Sequence, residues 1–350
     1  MTTPPVDLAA LPPLPPDAPV SVVIPARTAG DVLPGCLDAV LPQLSPADEV
    51  IVAAADEASA AAARTRAAED ARVQVVANPT GTTPAALNAA IAAARHPVIV
   101  RVDAQARIPA GYRDRVVDRL RTTGAVNVGG RQVARPRDTS GRGRDAAIAA
   151  AMNARLGHGG AAYRSGAAGT EGGPVDTVYL GAFRADALHH VGGYDERFLT
   201  NQDAELNERL RRAGGTVWLD PRLAVGYLPR TTLRALARQF RAYGRGRAMT
   251  ARVHPGSLGR RQLAAPVLVV GLFCALVALP WTVVPLGLWA GGYGSLLLLG
   301  TLLEGPETRR DLPTVAAALA VMHLAWGYGF LTAPRPPRLP RAREPRGGTD

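Results

Sequence analysis

Short apolar runs separated by helical periodicity make up the first third of the chain. VSVVI (20–24), EVIVAA (49–54), VQVV (73–76) and PVIVRVD (97–103) are almost continuously hydrophobic over strand length, the pattern of strands buried on both faces. Between them lie a helical run near 32–40, an Ala-rich stretch at 58–69 and a helix at 84–94. Strands alternating with helices predict a parallel sheet covered on both sides, and such sheets bind ligands off the carboxyl ends of their strands. Asp103 closes the fourth strand and so falls at that edge. From 129 to 173 the chain is rich in Gly and Arg, with one helical run at 146–156, which predicts mobile loops over the sheet edge. Order returns with DTVYLGAF (176–183), a helix at 184–191, the turn GGYDERF, a helix from about 204 to 213 and the strand TVWLD (216–220).

After Thr231 the pattern changes. Leu233, Leu236, Phe240 and Tyr243 recur at steps of three and four, while Arg234, Arg238, Arg241 and Arg245 occupy another face. This predicts an amphipathic helix at a membrane surface, with an ordinary helix packed on the domain as the alternative. Leu263 to Leu303 is 41 residues without a charged side chain, twice the roughly 20 that span a bilayer. Pro280 and Pro285 at its middle predict a helical hairpin, and 312–332 supplies another apolar segment. Length favours three spans; two would keep the arginines of the tail inside, as the positive-inside rule prefers. The expected organisation is a disordered Pro-rich lead (1–19), an α/β domain (20–230), a basic interfacial segment (231–262), two or three transmembrane helices (263–333) and a basic disordered tail (334–350).

Charge and cysteine content narrow the function classes. The net charge is +11, and every one of the 40 basic residues is Arg. Residues 1–233 carry 25 Arg against 24 acids, whereas 234–262 carry eight Arg and no acid. The excess therefore flanks the apolar region, where each Arg near anionic lipid is worth about 1 kcal/mol. A nucleic-acid groove would place it on the folded domain, which is nearly neutral, so nucleic acid is not an expected partner. Cys36 and Cys274 stand far apart without CxxC spacing, which argues against a disulfide framework or a thiolate metal site. The lead lacks a basic start and an apolar run of signal length, so the N-terminus and the α/β domain are expected on the cytoplasmic side of the cell membrane.

The strings SVVIPARTAGDVLPGCLDAVLPQ, NPTGTTPAALNAAI, VIVRVDAQA and YLGAFRADALHHVGGYDERFLTNQDAELNERLRRAGGTVWLDPRL, over about residues 20–250, resemble family 2 glycosyltransferases of the succinoglycan-biosynthesis type. That resemblance implies a GT-A fold, a Rossmann-like nucleotide-diphospho-sugar transferase domain. It also implies a nucleotide-sugar donor, with a UDP-sugar as the expectation, a divalent metal (Mg2+ or Mn2+), and inversion at the anomeric carbon in surface polysaccharide biosynthesis.

The resemblance also assigns roles. Asp103 would hold the metal against the leaving diphosphate, where negative charge develops. The family's second ligand two residues on is replaced by Gln105, a poorer donor, which leaves metal dependence open. Asp203, in NQDAEL, matches the base that takes the acceptor proton; at a helix start, backbone N–H groups can orient it, or it is simply an N-cap. Glu205 is read as structural, a support for Arg side chains. Nucleotide contacts fall on Pro25, Ala26 and Arg27 after the first strand and on Asp56 in AAADEAS. Asn88 and Arg101 flank the pocket by resemblance, or are plain surface residues of helix and strand. Acceptor or diphosphate contacts fall on Gln202, Arg230, Gln239 and Tyr243, with Ala242-Tyr243 in place of the Arg-Trp of a QxxRW element. The expected acceptor is a polyprenyl-linked or other lipid-borne glycan. A nucleotide-sugar-binding membrane scaffold without turnover and a processive polysaccharide synthase are the rival readings.

Overall fold

The structure, a computed structural model, describes residues 7–137, 143–165, 171–304 and 306–335. β1 (Val20–Ala26), β2 (Glu49–Ala54), β3 (Val73–Ala77) and β4 (Val98–Arg101) are joined by α1 (Leu33–Val40), α2 (Glu57–Glu69) and α3 (Thr83–Ala93). Next come α4 (Tyr112–Thr123), β5 (Asn127–Gly130), β6 (Gln132–Ala134), α5 (Gly143–Asn153), α6 (Arg155–His158), α7 (Ala162–Ser165) and β7 (Gly173–Pro174). β8 (Tyr179–Arg184), α8 (Ala185–His190), α9 (Gln202–Arg212), β9 (Val217–Leu219) and β10 (Val225–Tyr227) complete the domain.

Eight strands form one sheet in the order β3-β2-β1-β4-β8-β5-β9-β7, and β6 pairs with β10 in a small second sheet. β1 to β4 are parallel, as their unbroken apolarity predicts, but β8 runs antiparallel between β4 and β5. The reason lies in the chain's path. β5 ends at the carboxyl edge, the excursion through α5–α7 stays beyond it, and β8 re-enters the sheet from that edge. The stretch 129–173, expected as mobile loops, thus contains β6, α5, α6, α7 and β7 among its described residues.

Alternation along β1 explains why both faces need apolar residues. Val22 and Ile24 pack with Leu33, Leu37, Val116 and Leu120, while Val23 joins Ile51, Leu87, Leu188 and Leu206 on the other side. The Pro-rich lead is not disordered over its described part. Leu8 and Leu14 are buried, one in each of these layers, since an extended Pro-rich strap can seat leucines without a hydrogen-bond ladder. Residues 1–6 and 336–350, expected to be disordered, lie outside the described residues.

Beyond the domain come α10 (Leu233–Val253), α11 (Ala264–Ala278), α12 (Val284–Leu303), α13 (Pro306–Arg309) and α14 (Leu312–Leu331). Three segments, Arg260–Ala278, Val284–Leu303 and Leu312–Leu331, are long and apolar enough to cross a membrane. The apolar stripe of α10 does not face lipid. Leu236 and Phe240 share a core with Ile148 and Met152 of α5 and with Ala318 and Met322 of α14. Glycine permits the α10–α14 approach: a Cβ at Gly244 would collide with the Trp326 carbonyl, and one at Gly329 with the Arg241 carbonyl.

Candidate active site

β4 brings Arg101 and, two residues on, Asp103 to the carboxyl edge of the sheet; α9 brings Asp203 to the same place. Arg101, only 5 % exposed, links them. Its Nε donates to Asp103 Oδ1 at 2.9 Å and its Nη1 donates to Asp203 Oδ1. The guanidinium lies 5.9 Å from the centre of the Tyr194 ring, and the Tyr194 hydroxyl donates to Asp203 Oδ1 at 3.3 Å. Counter-charge and hydrogen-bond acceptors offset the cost of burying a cation, and here two carboxylates supply the charge and accept from Nε and Nη1. The surface reading of Arg101 does not survive this burial.

Asp203 is not a helix cap. That position belongs to Asn201, whose φ is +60° and whose amide donates to the Tyr243 carbonyl at 3.2 Å. No backbone N–H among the described residues donates to Asp203; Arg101 and Tyr194 orient it instead. Burial pushes the Asp203 carboxyl above the ordinary range, Arg101 opposes this, and the neighbouring Asp103 charge reinforces it. About a third of the side chain (32 %) remains accessible, and Oδ2 receives no hydrogen bond from a described residue.

Strain gathers at this edge. The described non-glycine residues with left-handed backbone are Thr28 (φ 49°), Leu180 (φ 49°) and Asn201 (φ 60°), each costing about 1–3 kcal/mol. Thr28 follows β1 and its N–H donates to Asp56 Oδ2 at 2.6 Å; the Leu180 carbonyl accepts from Tyr112 Oη at 2.9 Å; Asn201 precedes α9. Strain of this kind persists where its surroundings over-determine it, and it clusters at functional sites.

The residues expected to contact the nucleotide lie past β1 to β3. A cleft of about 480 Å³ opens there, lined by Asp56, Glu57, Arg64, Val76, Asn78 and Pro79 among others. Asp56 caps α2, accepting from Ser59 N at 3.0 Å and Ser59 Oγ at 2.8 Å as well as from Thr28. The Ser59 and Thr28 N–H groups hold its carboxyl below the usual range. Pro25 and Ala26 pair with Ala53 and Ala54 of β2, and Arg27 Nη1 donates to the Gly81 carbonyl at 3.1 Å. Asn88 clamps the turn before the site: its Nδ2 donates to Tyr194 O and its Oδ1 accepts from Tyr194 N, both at 2.8 Å.

Of the residues expected to contact acceptor or diphosphate, Gln202 is the first residue of α9 and half-buried beside Asp203. Gln239 Nε2 donates to Tyr227 Oη at 2.7 Å and Tyr243 Oη at 2.9 Å. Arg230 is exposed and joins neither group. Glu205, buried, receives Arg209 through both oxygens at 2.7 Å and meets His254 Nε2 at 2.9 Å, as its structural reading expects. Arg209 in turn donates to the Val191 and Gly193 carbonyls, fixing the turn that carries Tyr194.

Three residues were not visible as site candidates from the sequence. Tyr194 lies within the GGYDERF turn. Tyr179 opens β8, where burial and the Asp103 charge push its phenol up. Arg164 sits in the Gly-rich stretch, 9 % exposed, its guanidinium 5.5 Å from the Tyr163 ring centre and within electrostatic reach of Tyr243 and Tyr227. No carboxylate pairs with it among the described residues.

No group of three or more His, Cys, Asp or Glu gathers to hold a metal among the described residues. Asp103 Oδ2 accepts no hydrogen bond from a described residue, and Gln105 is exposed. One free carboxylate oxygen fits an ion such as Mg2+ that takes one or two protein carboxylates and completes its shell with substrate phosphates and water.

A sheet of this order, with a nucleotide-sized cleft past β2 and β3 and carboxylates beyond β4, is a GT-A nucleotide-diphospho-sugar transferase fold. Residues 15–246 match the family described as Glycosyltransferase like family 2, and the chain belongs to that family. It is 35 % identical over 321 residues, covering 88 % of this chain and 93 % of the other, to the succinoglycan biosynthesis protein ExoA of Rhizobium meliloti (strain 1021). Among solved structures it is similar to the mannosyltransferase PcManGT from Pyrobaculum calidifontis in complex with GDP-Man and Mn2+. That likeness has a TM-score of 0.60 at 19 % identity, over 89 % of this chain and 87 % of that one, and shows the fold.

Proposed function

We propose that this glycosyltransferase moves a hexose, with inversion, from a nucleoside-diphospho-sugar to a lipid-linked glycan at the cytoplasmic face of the cell membrane, in surface polysaccharide biosynthesis. The observation that carries the reading is the single buried guanidinium that holds Asp103 and Asp203 at one centre. In the proposed reaction an acceptor hydroxyl attacks the anomeric carbon from the face opposite the diphosphate. Its proton passes to Asp203 Oδ2, which no described residue engages. The leaving nucleoside diphosphate departs with the electrons of the broken C–O bond. A raised pKa suits a general base, bringing it nearer the operating pH. Asp103 Oδ2 is the position that would hold a divalent ion, and such an ion would supply charge stabilisation to the departing diphosphate. PcManGT's complex with GDP-Man and Mn2+ supports a nucleotide-sugar donor and metal use; ExoA's name supports polysaccharide biosynthesis.

The acceptor reading is supported by Arg164. A guanidinium nine-tenths buried and paired with no carboxylate among the described residues is suited to an incoming anion, and the Tyr227 and Tyr243 hydroxyls, held by Gln239, can donate to the phosphate oxygens of a lipid diphosphate. Ala242-Tyr243 in place of Arg-Trp supports transfer of one sugar rather than processive synthesis.

Purified full-length protein in lipid nanodiscs, given a panel of UDP- and GDP-sugars with Mn2+ or Mg2+, tests the reading through nucleotide release. Release that disappears in Asp203→Asn supports it. Exposed Gln105, in place of a second metal ligand, favours the scaffold reading, which predicts donor binding without release under any metal.

A further inference from the structure

Among the described residues, three helices have the length and apolarity of membrane spans. We infer that α14 is not one of them: it lies in the plane of the leaflet between α10 and the α11–α12 hairpin, and the hairpin alone enters the hydrocarbon. The inference rests on how the helices are fastened, not on the reaction.

α10 is tied along the catalytic domain. Gln239 Nε2 donates to Tyr227 Oη at 2.7 Å, Thr200 Oγ1 to the Ala242 carbonyl at 3.1 Å, and Asn201 Nδ2 to the Tyr243 carbonyl at 3.2 Å. At its far end His254 meets Glu205 at 2.9 Å. A helix held at these points runs along the domain rather than away from it.

α14 runs parallel to α10 and in step with it. Leu236 and Phe240 share a core with Val315, Ala318, Leu319 and Met322 near the start of α14. Further on, Gly244 meets Trp326, and Arg241 meets both Gly329 and the Tyr328 ring, 4.9 Å from its guanidinium. At the end Arg252 Nη1 donates to the Ala333 and Pro334 carbonyls at 2.9 and 2.7 Å. Even the middle of α14 is joined to the domain, with His323 Nε2 2.8 Å from the Leu156 carbonyl. A helix fastened along its length to α10, and at its middle to Leu156 of the domain, lies beside the domain instead of standing across a bilayer.

The hairpin differs. Its feet touch the domain on one side, Arg261 Nη1 donating to the Gly160 carbonyl and Arg155 N donating to Glu304 Oε1 at 2.6 Å. Its turn stands clear, with Trp281 81 % exposed. An upright α14 would also carry the Arg234, Arg238, Arg241 and Arg245 stripe of α10 into hydrocarbon, where Arg is penalised. In the plane, the stripe and the Trp326, Tyr328 and Phe330 cluster meet anionic headgroups and the interface, which both residue classes favour. Arg335 then stands on the same side as the catalytic domain.

The test uses the full chain carrying Cys36→Ala and Cys274→Ala, with one added cysteine at a time: Asp114→Cys at an exposed position of α4, Arg309→Cys before α14, and Arg335→Cys after it. Labelling by a membrane-impermeant maleimide is compared in intact and permeabilised cells. The expectation is that all three label from one side. Arg335→Cys labelling from the side opposite Asp114→Cys would overturn the inference. If the cysteine-free chain fails to accumulate, green fluorescent protein and alkaline phosphatase fused to the C-terminus of the native full chain replace the labelling. Fluorescence without phosphatase activity supports an in-plane α14, and phosphatase activity refutes it.

Discussion

Replacing Arg101 with Met keeps most of the side-chain volume and removes the charge that joins the two site carboxylates. Breaking a buried ion pair from one side costs about 3–5 kcal/mol, because the remaining charge is left uncompensated. Arg101 is 5 % exposed, but Asp203 keeps 32 % of its side chain accessible to water, so the lower end, about 3 kcal/mol, applies. In a domain of this size each kcal/mol lowers Tm by about 2–4 °C, giving a drop of about 6–12 °C. The loss also depends on pH. Without Arg101, Asp203 loses the strongest influence holding its pKa down, while Asp103 still pushes it up. A group whose folded pKa is raised contributes stability at low pH and loses it as pH rises through that folded pKa. The variant should therefore melt closest to the native protein at acid pH and fall further behind as pH rises. Thermal unfolding followed by tryptophan fluorescence in detergent reads both effects. A Tm difference under about 2 °C, or one that stays constant with pH, would refute the charge-balance argument. Adding Asp203→Asn to Arg101→Met should recover part of the loss; simple additivity would count against a shared centre.

Tyr194→Phe removes a hydroxyl that holds the Asp203 pKa down. If Asp203 is the proposed base, the acid limb of kcat/KM should move to higher pH with its plateau retained, and an unmoved limb would count against that role. Burial works to raise Asp48, but the Arg113 guanidinium and the Val20 and Ser45 N–H groups win and hold it low, and Arg72 holds Asp70 down to about 2. Depressed carboxylates contribute stability above their unfolded pKa of about 3.9 and lose it as pH falls through the folded values. Circular dichroism should therefore show the domain losing stability below about pH 4, with Arg113→Met moving the transition to higher pH. Gly244→Val would force α10 away from the Trp326 carbonyl; overpacking of about 1–3 kcal/mol should appear as a lower Tm in detergent, and an unchanged Tm would mean the two helices do not touch there.

Periodicity alone located the first four strands, the helices between them and the apolar hairpin, because burial on two faces or in lipid leaves a continuous hydrophobic record in the chain. α4 escaped it: Tyr112, Val116, Val117 and Leu120 are buried, but the charged residues among them hide the stripe. The block containing NQDAEL singled out Asp203 and RVDAQA singled out Asp103 as candidates, and the fold brings both to one edge of the sheet. Their common partner was less legible, because Arg101 reaches Asp203 across 102 positions of sequence. Tyr194, Tyr179 and Arg164 likewise gain meaning only from what surrounds them.

By itself the sequence determined the class of fold and the basic and apolar parts of the C-terminal region, and it singled out the two candidate carboxylates, all of which are local patterns of residue type. Tertiary structure decided the rest: the reversed β8, the guanidinium between the carboxylates, the apolar face of α10 turned towards α14, and the lie of α14 itself. Each of these depends on which distant surfaces meet. Hydropathy records that a helix must leave water, and only packing decides whether protein or lipid receives it.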